Sequence, residues 1–132
     1  MQNDLYNNVK SVVALNHQTI NTDVDTVGVA VDTLGFESAI ASVKTGAVTA
    51  GDVTISAVLE SDDAGMAGAT AIPANRLIGS ASAVSTANTI DEIGFVADKR
   101  YVQVQVTTAN TADLAVGANV ILGDPATASV RG

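Results

Sequence analysis

Apolar and polar residues alternate most cleanly between Gly94 and Val106. Val102, Val104 and Val106 fall on one side of a period of two, and Gln103 and Gln105 fall on the other. This period is that of a half-buried strand whose valine face looks into a core. The charged residues at 98–100 come just before it, which predicts a turn from which the chain enters the sheet at Tyr101.

Other segments repeat the pattern less regularly along the chain. Strands are predicted at 10–16, 27–31, 36–43, 53–59, 90–96 and 114–122, the last ended by Pro125. Residues 46–52 are small and contain glycine, so they are interpreted as a hairpin connection. Residues 61–88, with Pro73 and many Ala and Ser, are expected to form a loop or an excursion from the sheet.

About seven or eight short strands and no long 3.6-residue period predict an all-β, antiparallel fold, either a β-sandwich or a jelly-roll-like barrel. Residues 1–9 are expected to be a polar arm and residues 10–132 one sandwich domain. A chain of 132 residues is long enough for one hydrophobic core.

Composition and charge narrow the classes of function. Hydrophobic residues make up 47% of the chain and aromatic residues only 3%, so aliphatic side chains must fill the core. The formal net charge of -8 opposes nucleic-acid binding, and without cysteine the chain has no disulfide, thiolate metal site or cysteine nucleophile. No apolar run is long enough for a membrane-spanning helix, and the first residues lack the pattern of a secretion signal.

The residues that could carry chemistry favour structural roles. Asp23 and Asp25 lack the further ligands of a calcium loop, and the pair Asp62 and Asp63 is better interpreted as a solvated loop than as an acid/base pair. His17 is the only histidine and has no nucleophile elbow near it in sequence. No phosphate-binding loop occurs, and we therefore predict no enzyme activity, no cofactor and no metal.

Interface residues are the remaining candidates. Lys99 and Arg100 beside Tyr101 form the densest positive charge in the chain, and Tyr and Arg are favoured at interface centres. The alternative is a strand-start turn whose charge is neutralised by Asp98. In the arm, Leu5 and Tyr6 are the candidate anchors.

Four stretches resemble a family of small tailed-phage structural proteins, the head decoration or capsid cement proteins. They are Asn3-Asp4-Leu5, Val31-Asp32 before Gly35-Phe36-Glu37-Ser38, Gly51-Asp52-Val53-Thr54 with Leu59-Glu60-Ser61-Asp62-Asp63, and Lys99-Arg100-Tyr101-Val102-Gln103-Val104.

The resemblance implies a β-rich protein made in the bacterial host cytoplasm that binds the outer surface of the major capsid protein lattice and stabilises the head. It also implies self-association, with a trimer favoured, and binding to neither nucleic acid nor membrane. The alternatives are a tail, neck or receptor-binding component of the particle and, less favoured, a small carbohydrate-binding module or hydrolase.

Overall fold

The computed structural model describes residues 8–125, with side chains to residue 123. Residues 1–7 lie outside this range, and with them the candidate anchors Leu5 and Tyr6 and most of the expected arm. The described elements are eight strands and one 3-10 turn: β1 (Lys10–Ile20), β2 (Asp25–Val27), β3 (Val31–Asp32), β4 (Phe36–Ser61), β5 (Thr70–Ala71), the 3-10 turn (Ala74–Arg76), β6 (Leu77–Ile78), β7 (Ile90–Phe95) and β8 (Tyr101–Pro125).

All eight strands belong to one antiparallel sheet that is not closed into a barrel, so the all-β class, the antiparallel pairing and the number of strands are confirmed. The main path through the sheet is β1-β8-β4-β7-β6, while β2 and β3 pair with β8 and β5 pairs with β4. In the described part of the chain, no helix is long and apolar enough to cross a membrane.

The prediction that every strand is short was wrong for β4 and β8, which have 26 and 25 residues. Residues 46–52 do not form a hairpin connection, because β4 runs through them while it pairs with β8. The register of this pairing shifts between Thr45 and Asp52, and such β-bulges let a strand bend without leaving its partner.

The bend divides the sheet into two layers that share a core. Layer I contains β1, β6, β7 and residues 36–45 and 114–125, whereas layer II contains β2, β3, β5 and residues 52–61 and 101–109. Each layer buries one face in the core, where Val43 and Val120 of layer I and Val53 and Val104 of layer II are fully buried. Since residues 10–125 contain no α-helix to cover these faces, the two layers cover each other.

On one side the layers meet directly through a hydrogen-bonded seam. The N–H of Val29 donates to the carbonyl oxygen of Ala14 at 2.8 Å, and the N–H of Gly28 donates to that of Val104 at 2.9 Å. A Cβ atom on Gly28 would lie 1.8 Å from the Ala14 carbonyl oxygen, so only glycine fits here. This approach interrupts the predicted strand at 27–31, and of its three valines only Val31 is buried.

On the opposite side the predicted excursion closes the gap between the layers. β5 pairs with β4 in layer II, β6 pairs with β7 in layer I, and Val84 forms a bridge with Val53 near the bend. These contacts cover the core on the side where neither layer has a long edge strand.

Candidate interaction surface

Both ends of the described chain lie at one end of the sandwich, which we call the terminal end. Lys10 pairs with Leu122, and Phe36 pairs with Pro125 in layer I. Because the sheet bends back on itself, Tyr101 at the start of β8 in layer II lies at this same end.

The predicted interface residues Arg100 and Tyr101 meet at the terminal end. The Arg100 guanidinium donates to both carboxylate oxygens of Asp32, with Nε to Oδ1 at 2.9 Å and Nη2 to Oδ2 at 2.8 Å. It also lies over the Tyr101 ring, 5.1 Å from the centroid, in a cation–π contact. Lys99, half-buried, precedes them in the turn.

The alternative in which Asp98 neutralises this turn does not hold for Arg100, because Asp32 is its partner. The hydrogen bonds from Arg100 hold the pKa of the Asp32 carboxyl well below its usual range, at about 2, and the N–H of Leu34 contributes to the same shift. Both partners are nearly half exposed, so solvent screens the pair and it adds little to stability. It orients the guanidinium and the Tyr101 ring.

Leu34 is a member of this surface that sequence reasoning missed. It is 66% exposed at the tip of the β3–β4 turn, where its N–H donates to Asp32 Oδ1 at 3.0 Å. The N–H of Phe36 donates to the Thr33 carbonyl oxygen at 3.1 Å, and Gly35 has a φ of 92°. The Asp-Thr-Leu-Gly stretch therefore forms a fixed turn that presents a large apolar side chain to solvent.

A second cluster, also missed, lies just inside the terminal end around Glu60. The side chain of Glu60 is only 4% exposed, and the Arg76 guanidinium donates to both of its oxygens, at 3.0 and 2.5 Å. The N–H of Asp98 donates to Glu60 Oε1 at 2.9 Å, and the Asp98 carboxylate lies 3.3 Å from Arg76. The cluster ties the excursion and the β7–β8 turn to the end of β4.

This cluster predicts a specific loss of stability in acid. The hydrogen bonds from Arg76 lower the pKa of Glu60 from its ordinary value of 4.5, although burial opposes this shift. A carboxyl with a lower pKa in the folded state contributes stability that is present above its unfolded pKa and is lost as the pH falls through its folded pKa. We expect the difference in unfolding free energy between the wild type and Glu60→Gln to be constant above pH 4.5 and to shrink below it.

Urea unfolding at pH about 6 and at pH about 3 measures this difference, and Glu37→Gln, which changes an exposed carboxyl near the start of β4, is the matched control. An equal difference at the two pH values would contradict the role of Glu60.

Three of the four carboxylates considered for chemistry accept hydrogen bonds within the protein, and the fourth, Asp62, is exposed. Asp23 accepts hydrogen bonds from the N–H groups of Thr111 and Ala112, whereas Asp25 accepts one from the Thr107 hydroxyl. Asp63 accepts hydrogen bonds from N–H groups within its own loop, at Gly65 and Ala67. These contacts are those of turns and bulges.

His17 is exposed on β1, where its ring lies next to Gly46 and Gly117 on the outer face of layer I. A cleft of about 30 Å³ lies elsewhere, between Phe36, Phe95 and Leu122 at the terminal end. Within residues 8–123, no group of three or more His, Cys, Asp and Glu side chains is placed to hold a metal ion.

Comparison with known proteins finds likeness in structure rather than in sequence. No protein-family model matches the chain, and no curated protein sequence matches it. The crystal structure of the PBSX exported protein XepA matches 93% of the chain with a TM-score of 0.60 at 14% identity. That of the SPBc2 prophage-derived protein YomS matches 86% of the chain with a TM-score of 0.52 at 17% identity.

The chain has the fold of these two proteins. It spans 39% of the XepA chain and 92% of the YomS chain, so the fold forms part of the longer XepA chain and nearly all of YomS. At these identities the likeness extends to the fold and not to individual surface residues.

Proposed function

We propose that this chain is a phage-encoded virion protein of the capsid decoration type, which binds the outer surface of the major capsid protein lattice and stabilises the head. The observation that carries the proposal is the shared fold, because both matching structures are of phage or prophage origin. The resemblance of the four sequence stretches to head decoration proteins supports the finer assignment.

The terminal end supplies the docking surface in this proposal. Leu34 is an exposed apolar anchor on a rigid turn, and Tyr101 and Arg100 are held beside it by the ion pair with Asp32. Rigid apolar and aromatic anchors with an oriented Arg are typical of the centres of protein interfaces, since little conformational entropy is lost when they bind. Many copies on one shell would multiply a modest affinity per copy.

A second candidate is a tail or receptor-binding component of the particle. It is favoured by the match to XepA, which covers 39% of that chain, because a fold that also occurs within a longer protein suits a binding module. The two candidates differ in copy number per particle. The copy number of a decoration protein scales with the number of capsid subunits, whereas a tail component is present in few copies.

The test is quantitative mass spectrometry of purified particles of the phage that encodes the chain. We expect a copy number of the same order as that of the major capsid protein, and we expect the purified protein to pellet with expanded capsids that lack it. A copy number far below that of the capsid protein would favour the tail component, and absence from particles would overturn both candidates.

Leu34→Asp locates the surface in the same pelleting assay. Its side chain is two-thirds exposed, so the substitution should leave the unfolding midpoint unchanged and lower occupancy on capsids about tenfold or more. Val24→Asp, an exposed apolar position near the bend at the opposite end, is the matched control and should bind normally. Equal occupancy of the two variants would exclude the terminal end as the docking surface.

A further inference from the structure

Three isoleucines form a continuous row across the outer face of layer I, which we call the isoleucine stripe. Ile121 of β8 is opposite Ile40 of β4, Ile40 is opposite Gly94 of β7, and Gly94 is opposite Ile78 of β6. Ile40 is 38% exposed and Ile78 is 66% exposed. The stripe therefore crosses four neighbouring strands on a face that no other described element covers.

Gly94 explains why the stripe has no gap. A Cβ atom at Gly94 would lie 3.2 Å from Cβ of Ile78 and 3.7 Å from its Cδ1, so the Ile78 side chain already occupies the space above the glycine. Ile40 lies opposite Gly94 on the other side of β7, so the space between the two isoleucines holds the glycine and the Ile78 side chain beside it. Val13 on β1 and Ile90 on β7, 51% and 62% exposed, widen the apolar surface on the same face.

The outer face of layer II carries more polar side chains than the region of the isoleucine stripe in layer I. Its positions on β4 and β8 include the half-buried polar residues Thr54, Thr107, Gln103 and Gln105, with Leu59 opposite Gln103 and Ala57 opposite Gln105. Thr107 and Gln103 already donate hydrogen bonds within the chain, to Asp25 and to the Gly28 carbonyl oxygen. In the described strands of layer II, no row of large aliphatic side chains crosses neighbouring strands as the isoleucine stripe does in layer I, and a contiguous exposed apolar patch favours an interaction site.

The charges on the stripe's face indicate which partner it fits. Among the outward-facing positions where β4 pairs with β7, those with a formal charge are Lys44 and Glu92. They lie diagonally across the β4–β7 pair, since Lys44 is opposite Ile90 and Ser42 is opposite Glu92, and no ion pair joins them. This face is neutral although the chain carries a formal net charge of -8.

We propose that a second copy of the same chain covers the isoleucine stripe in a twofold-symmetric pair. Two copies with a charge of -8 each repel one another, and a face with one positive and one negative side chain avoids adding to that repulsion. A twofold axis that passes between these side chains sets Lys44 of each copy against Glu92 of the other, so the charges are self-complementary. The stripe, which crosses β4 at Ile40, four residues before Lys44, is then buried beside the axis against the outer face of the other copy.

This pair is independent of the capsid proposal, because it forms in the purified protein without particles. It also differs from the trimer that the family resemblance implies, since a twofold interface builds dimers and other even-numbered assemblies.

Sedimentation velocity of the purified full chain over about 1 to 100 μM tests the pair. We expect the wild type to dimerise and Ile40→Lys to raise the dimer dissociation constant about tenfold or more. Thr54→Lys adds the same charge to the outer face of layer II and is the matched control, which should dimerise like the wild type. Far-ultraviolet circular dichroism and the urea midpoint establish that both variants are folded.

Charge reversal provides a second test that keeps the apolar stripe intact. Lys44→Glu or Glu92→Lys alone should weaken dimerisation, and the double variant should restore it to within about threefold of the wild type. A double variant weaker than both single variants would overturn the twofold pairing.

Three other results would overturn the proposal. They are a wild type that stays monomeric throughout the range, a wild type that forms trimers, and an Ile40→Lys variant that dimerises normally but no longer pellets with capsids. The last result would assign the stripe to the particle instead.

Discussion

Gly28→Ala is expected to lower the free energy of unfolding by about 3 kcal/mol or more, which is a large fraction of the total stability of a domain of this size. The added Cβ atom would lie 1.8 Å from the carbonyl oxygen of Ala14 and 2.9 Å from its carbonyl carbon. Both atoms belong to the backbone of β1, so no side-chain rotation relieves the collision. The strands must separate, and the hydrogen bond from Val29 to Ala14 that joins the two layers is lost.

Urea unfolding followed by circular dichroism measures this loss, with Gly46→Ala as the matched control. A Cβ atom at Gly46 would lie 3.4 Å from the Cβ atom of Ala115 and 3.5 Å from Cε1 of His17, which are ordinary contacts. The control should therefore change the unfolding free energy by less than about 1 kcal/mol. If Gly28→Ala were as stable as the control, the seam between the layers would not be as close as described.

Removal of the guanidinium in Arg76→Met is expected to have the second large effect. It leaves the Glu60 carboxylate, 4% exposed, with the Asp98 N–H as its remaining donor, and an uncompensated buried charge costs about 3 kcal/mol. The pKa of Glu60 should rise because the hydrogen bonds that lower it are gone. The variant should then gain stability, relative to the wild type, as the pH falls.

A double-mutant cycle with Glu60→Gln tests the coupling. The double variant should be more stable than Arg76→Met alone at neutral pH, because it carries no unpaired charge. Arg100→Met is the matched control: it breaks the ion pair with Asp32, in which both side chains are nearly half exposed, and should have a much smaller effect. Equal losses from Arg76→Met and Arg100→Met would contradict the importance of burial at Glu60.

Two surfaces of the sandwich have separate proposed partners. The terminal end, with Leu34, Arg100 and Tyr101, is proposed to dock on a capsid, whereas the isoleucine stripe is proposed to pair with a second copy. The two surfaces consist of different residues. Leu34→Asp should therefore weaken capsid binding and Ile40→Lys should weaken dimerisation, and both can be measured on the same protein preparations. A dimer on a capsid would also present two docking ends, and the avidity of the pair would exceed the affinity of one chain.

Local alternation was sufficient to predict the class of fold and much of the core. Val102, Val104 and Val106 are buried as the period of two predicts, and β8 begins at Tyr101 after the charged turn and ends at Pro125. An aromatic-poor, aliphatic sequence without cysteine indicated a core of packed β-branched side chains, and the core has this composition. The inward face of a strand and the position of a turn depend on residues that are close together in the chain, and the sequence gives their order directly.

Partners distant in the chain could not be predicted in this way. The alternation in β4 says which residues point inward, but the bulges between Thr45 and Asp52 arise only where β4 and β8 must bend together over a shared core. The charged residues show the same limit, because Arg100 binds Asp32 rather than Asp98, and Glu60 binds Arg76 across the excursion. A side chain takes the partner that packing brings within reach, and nearness in sequence does not decide it.

The sequence by itself therefore determined the all-β class, the inward faces of the clearest strands and the acidic, aliphatic character of the protein, because these follow from residue type and spacing. Only the tertiary structure decided that the two longest strands fold into two layers and that Gly28 lets those layers touch. It also decided that Leu34 and the isoleucine stripe remain on the surface, because the exposure of an apolar side chain depends on what the rest of the fold places over it.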